Sequence, residues 1–128
     1  MDVKRSGFLL IEILVGCVIM CTLLMFTFHG RYSRSWSTVE NEFDRCFTSA
    51  RFQSSLTGRQ FDVYTKNEAI YVNRIKIPLP SEWKNDWSPR IEVHAHAITG
   101  GTLSFFNPKT KDRKRLVFQV GGGTYTWR

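Results

Sequence analysis

The chain has too few cysteines to staple a soluble domain. Of its three, Cys17 and Cys21 lie four residues apart inside an apolar run, where they act as small apolar side chains. Cys46 is left alone, which excludes a disulfide within the soluble part and predicts a buried thiol, with an intermolecular link as the other option. Enzyme signatures are also missing. Gly100-Gly101 and Gly121-Gly122-Gly123 lack the strand–turn–helix spacing of a phosphate-binding loop. No serine sits in a nucleophile elbow, and Cys46 has no evident base. We therefore expect no enzyme, no catalytic residue and no cofactor. Glu92, His94 and His96 alternate along one predicted strand, where two imidazoles and a carboxylate would meet a metal. Nothing further along the chain completes such a site, so the solvent face of an amphipathic strand is expected and no metal.

Acidic residues are scarce as well, 11 against 18 basic ones, giving a formal net charge of +7 and a pI near 9.7. This excess attracts nucleic acid, anionic lipid or anionic wall polymers and carries no information about fold. Removing Met1 to Gly7 takes away two basic residues and one acidic one, so the basic character belongs to the rest of the chain.

Long apolar runs are not missing. Phe8 to Phe28 is a 21-residue stretch whose only charge is Glu12, long enough to cross a bilayer as a helix. A secretory signal has a shorter core, roughly 7–15 residues, and a small-residue cleavage site. Thr27-Phe28-His29-Gly30-Arg31 offers no such site, so the run is expected to stay in the membrane as an anchor. Lys4 and Arg5 precede it and Arg31 and Arg34 follow, so charge barely orients it. A carboxylate in such a run is expensive in lipid and points to function. The milder alternative is an interfacial acid near the positive end of the helix dipole.

Beyond the anchor, Tyr32, Trp36, Val39, Phe43, Phe47 and Ala50 form one apolar stripe with Cys46 beside it, while Asn41, Glu42, Asp44, Arg45 and Arg51 take the other sides. The pattern predicts a single helix from about residue 8 to 56, roughly 70 Å long, with Gly30 as a kink or a tolerated glycine and Gly58 as the stop. The remainder reads as strands: 61–65 and 69–72 around Lys66-Asn67-Glu68, then 75–77, 91–97, 102–106 and 115–120, with a triple-glycine reversal into 124–127. Ser81 to Ser88, carrying Trp83 and Trp87, is expected to be an ordered loop. The class is α+β, a long N-terminal helix packed against a small antiparallel β-sheet. The expected organisation is 1–7 leader, 8–28 membrane helix, 29–57 amphipathic continuation and 58–128 sheet head. The strongest charge cluster is Lys109-Thr110-Lys111-Asp112-Arg113-Lys114-Arg115. At a hairpin tip, Lys109, Lys111, Arg113, Lys114 and Arg115 would contact DNA phosphates without reading sequence, with Trp83, Trp87 and Trp127 as stacking partners. The plainer alternative is a solvated polar loop.

Lys4-Arg5-Ser6-Gly7 followed by Phe8-Leu9-Leu10-Ile11-Glu12 resembles the type IV prepilin signature: a short basic leader ending in glycine, an aromatic residue, and glutamate at the fifth position after the cut. Leu9 stands where threonine is commoner. The resemblance implies the pilin layout of a long helix with a β head. It implies that a membrane prepilin peptidase cuts after Gly7 and methylates the new amine of Phe8. It also implies that the leader faces inward and the head outward, and that Glu12 meets the N-terminus of a neighbouring pseudopilin during assembly. Pairing the two charges in lipid would give the carboxylate a purpose. The small size, the lack of a disulfide in the head and the segments 101–105 and 116–121 are similar to the ComGD minor pseudopilins of Gram-positive competence machinery. The expected function is thus that of a minor pseudopilin in a type IV-like competence pilus, contributing to uptake of transforming DNA. Its location would be the cell membrane and then the surface pilus. The alternatives are a minor subunit of a type II secretion-like or adhesive pilus, or a single-pass anchored protein whose basic head binds DNA or wall polymer.

Overall fold

The computed structural model describes residues 3–28 and 34–128, with only the backbone described at 3–6 and 28. The chain divides into two compact units, Met1–Tyr32 and Ser33–Arg128. The first contains α1, Val3–Phe28, and its Gly7–Thr27 span is long and apolar enough to cross a membrane, with none of it buried against protein. Its hydroxyls are satisfied within the helix. Thr22 Oγ1 donates to the Ile19 carbonyl at 2.8 Å and Thr27 Oγ1 to that of Leu24 at 2.8 Å, which is how such residues remain compatible with lipid.

The second unit opens with α2, Trp36–Thr57. The predicted single helix over residues 8–56 is therefore two helices. Ser35 is extended, with φ −87° and ψ 157°, and its hydroxyl accepts from the Thr38 N–H as an N-cap. A residue in that conformation cannot also continue a preceding helix. Tyr32 of the predicted stripe, and Gly30 with its predicted kink, lie outside the described residues. From Trp36 onward the stripe holds: Val39, Phe43, Phe47 and Ala50 are buried and Cys46 packs against the core beside them. Gly58 ends the helix as expected, in the left-handed region at φ 69°, its N–H returning to the Ser54 carbonyl. A side chain there would be strained, and glycine is not.

The head holds two four-stranded antiparallel sheets rather than one. The strands of the first are β1 (Phe61–Lys66), β2 (Ala69–Val72), β3 (Ile75–Pro78) and β5 (Ile91–Val93), ordered β3-β2-β1-β5. Two two-residue turns build it, Asn67-Glu68 and Asn73-Arg74, all four residues at positive φ, the hairpin geometry whose twist suits the flanking strands. The second turn joins β2 directly to β3. The second sheet is β4 (Lys84–Asn85), β6 (Gly101–Phe106), β7 (Arg113–Phe118) and β8 (Tyr125–Trp127), in the order β4-β6-β7-β8. The Trp-bearing loop thus contributes a short edge strand.

The strand predicted over 91–97 stops at Val93. The His94 N–H bonds to the Ala97 carbonyl at 2.8 Å, and the chain reverses so that Ile98 bridges back to Val93. Ile98 is buried and Ala97 exposed, so the larger apolar residue takes the core position. One core joins α2 to the inner faces of both sheets: Phe43 and Phe47 meet Phe118 and Tyr125, and Phe47 also meets Phe61 across the first sheet.

Candidate functional site

Two places answer to the sequence-predicted sites, one in each unit. In α1, Phe8 and Glu12 are four residues apart and so share a helix face. Phe8 is 81% exposed, and a Cβ on Gly7 would meet nothing within 4 Å. Glu12 is exposed too, and it is the only charged side chain between Gly7 and Thr27. Exposed side chains at Phe8 and Glu12, with open space at Gly7, are what the helix offers at this end.

In the head, the basic cluster is dispersed. The β6–β7 tip is Asn107 to Asp112, and buried Asn107 shapes it by accepting the Lys109 N–H at 2.9 Å and the Thr110 N–H at 3.3 Å. Lys109 is paired with Glu82 at 2.5 Å. Lys111 is exposed at positive φ. Arg113, Lys114 and Arg115 belong to β7, where alternate residues point to opposite faces. Lys114 faces inward with Leu116 and Phe118. It pairs with Glu40 of α2 and lies over the rings of Trp36 and Trp127 at 5.3 and 5.9 Å. Arg113 and Arg115 face outward and are exposed.

Register brings two further cations to that outer face. Phe106 stands between Arg113 on one side and Lys84 on the other. Ser104 stands opposite Arg115, and Arg115 and Arg128 exchange both backbone hydrogen bonds at 2.7 and 2.8 Å, so they too are direct neighbours. Lys84, Arg113, Arg115 and Arg128 are all exposed, and no ion pair engages them among the described residues. The one acidic side chain on the ladder positions of this face is Asp86, whose N–H bonds to the Ser104 carbonyl and whose carboxylate accepts the Trp87 N–H at 2.8 Å. Lys84 and Arg128 were missed because they lie 31 and 13 positions from Arg115 in sequence and only pairing reveals them. The alternation Arg113-x-Arg115 was the available signal.

The tryptophans divide differently from expectation. Trp83 is edge-on to Trp36 at 5.0 Å and Trp127 packs on Trp36 and Phe43 at 5.7 and 5.6 Å. Both are committed to the core. Trp87 is 83% exposed.

A second basic region is concave. Arg59, Arg74 and Arg90 line a groove of about 950 Å³ between the C-terminal end of α2 and the first sheet. Arg90 is held over Tyr64 at 4.9 Å and faces Asp62 at 3.6 Å. Glu92, His94 and His96, the rejected metal trio, no longer share a strand, and no group of three metal-binding side chains occurs among the described residues. The Cys46 thiol is pushed up from its usual value, by desolvation first and then by Glu42. No family model, curated protein or solved structure matches this chain.

Proposed function

We propose that the chain is a minor pseudopilin of a type IV-like competence pilus, cut after Gly7, anchored and assembled through α1, and contributing to uptake of transforming DNA. The observation that carries this is the N-terminal pattern: basic Lys4-Arg5, Gly7, aromatic Phe8, and Glu12 as the sole charge in an apolar span. The helix supports it physically. Its Gly7–Thr27 span is apolar and unburied, and the Thr22 and Thr27 hydroxyls in it are bonded internally, so the Glu12 carboxylate is the one charged group the span would carry into lipid. Cleavage on the cytoplasmic side creates an amine on Phe8. In the growing fibre, Glu12 of one subunit neutralises the amine of a neighbouring pseudopilin, and each charge relieves the burial cost of the other. The head then stands outside the membrane.

Mass spectrometry of the mature N-terminus tests the proposal. A chain beginning at N-methylated Phe8 is expected; an intact Met1 in the membrane-resident protein would overturn it in favour of a simple anchored binding protein. Glu12→Val should be cleaved normally and fail to enter fibres, and normal incorporation would leave Glu12 as an interfacial acid. The competence role is tested separately by deletion, which should abolish transformation.

A further inference from the structure

We propose that the outer face of the second sheet is a docking surface for the DNA backbone, with Lys84, Arg113, Arg115 and Arg128 as its phosphate contacts. The inference deepens the proposed role in DNA uptake and rests on it for its biological setting.

The face has the chemistry of sequence-independent backbone contact. Four exposed cations stand against one acidic side chain, and Ser104, Thr102 and Thr126 share the same outward alternation as neutral donors. Phosphate recognition uses this mixture of Arg/Lys and hydroxyl side chains. Arg113 and Arg115 are two residues apart on a straight strand, about 6.8 Å. One strand of duplex presents a phosphate about every 3.4 Å of helix axis, so the pair is spaced on the scale of neighbouring phosphates. Lys84 and Arg128, on flanking strands, widen the contact to either side of this pair. Phe106 and Val117 are half-buried within the face, so little apolar surface is presented for insertion into lipid.

The groove of Arg59, Arg74 and Arg90 is the weaker competitor. Asp62 lies in it, and the carbonyl end of α2 adds negative partial charge beside it. Lys109 and Lys114 are excluded from the proposed surface by their pairing with Glu82 and Glu40.

The test uses the full mature chain in nanodiscs of zwitterionic lipid, with binding of two labelled duplexes of unrelated sequence followed by anisotropy across a salt series. Equal affinity for the two duplexes is expected. Replacing Lys84, Arg113 and Arg115 together with glutamine should lower the slope of log K against log salt by about 3, near 0.9 per lost contact. The Arg59→Gln, Arg74→Gln, Arg90→Gln variant serves as control and should bind as the unmodified chain does. An unchanged slope in the first variant, or lost binding only in the second, would overturn the assignment. So would stronger binding to a polyglycerol phosphate, at equal phosphate concentration, than to DNA. Tryptophan fluorescence checks that each variant is folded. Failure here with a methylated Phe8 removes the docking surface alone; success with an intact Met1 removes the pseudopilin alone.

Discussion

Tyr125 Oη donates a 2.5 Å hydrogen bond to the Asp44 carboxylate, tying β8 to the exposed side of α2. The contact spans 81 positions of sequence, and it closes the second sheet over the helix. Burial, and then the bond to Asp44, push the Tyr125 hydroxyl well above its usual value near 10. The native state therefore holds this proton more tightly than the unfolded chain does. Its contribution is complete below about pH 10 and is lost as pH rises from there toward the folded-state value. Tyr125→Phe should destabilise the head by about 1 kcal/mol at neutral pH and flatten the alkaline fall. Denaturant titrations from pH 7 to 11 measure both. All four tryptophans lie in the head unit, so their fluorescence reports its unfolding even in detergent.

Lys114 and Arg115 are sequence neighbours with different expected consequences. Lys114 packs its stem on Trp36 and Trp127 and pairs with Glu40, so Lys114→Ala loses packing and strands a half-buried carboxylate. A loss of about 1–2 kcal/mol is expected. Arg115→Ala, on the outer face, should stay within about 0.5 kcal/mol of the unmodified chain. Equal effects in chemical denaturation would contradict the strand register.

Ser35 marks where the amphipathic helix begins. Replacing it with alanine removes the acceptor for the Thr38 N–H, at about 1 kcal/mol. Ser37→Ala, one residue inside the helix, serves as the comparison and should cost less. Were residues 34–36 part of one continuous helix, Ser35→Ala would instead be neutral or stabilising, because alanine is the better helix former.

Gly123 lies at φ 67° and its carbonyl accepts from the Arg51 guanidinium. A Cβ there would press on that guanidinium, which is the mobile end of its side chain and is able to swing away. The lasting cost of Gly123→Ala is the left-handed backbone, about 1–2 kcal/mol. Gly122→Ala, with a negative φ and only the Thr124 hydroxyl near its added Cβ, at 3.9 Å, should be close to neutral. A thermal-shift comparison of the two separates conformation from crowding.

Cys46 should react slowly. Its half-buried thiol is raised by desolvation, so little thiolate forms at neutral pH. A Cys17→Ser, Cys21→Ser background isolates it, and its alkylation should accelerate sharply on adding denaturant. Rapid labelling of the folded chain would show the thiol to be open.

Local patterns were legible because they depend on near neighbours. The apolar span, the stripe from Val39 to Ala50, the Gly58 stop and the hairpin around Asn67-Glu68 all follow from the periodicity and turn chemistry of consecutive residues. The α+β class followed from them. The prepilin-like stretch from Lys4 to Glu12 is likewise a matter of spacing along the chain. What the sequence could not settle was everything decided by pairing. A continuous apolar stripe does not reveal that Ser35 turns out of the helix to cap a new one. Alternation through Ala97 does not reveal that Ile98 displaces it from the core. Five basic residues within the seven from Lys109 to Arg115 do not reveal that a pleated strand sends Lys114 inward while Arg113 and Arg115 point out. Register alone then sets Lys84 and Arg128 beside them, because strands join positions that the chain keeps far apart.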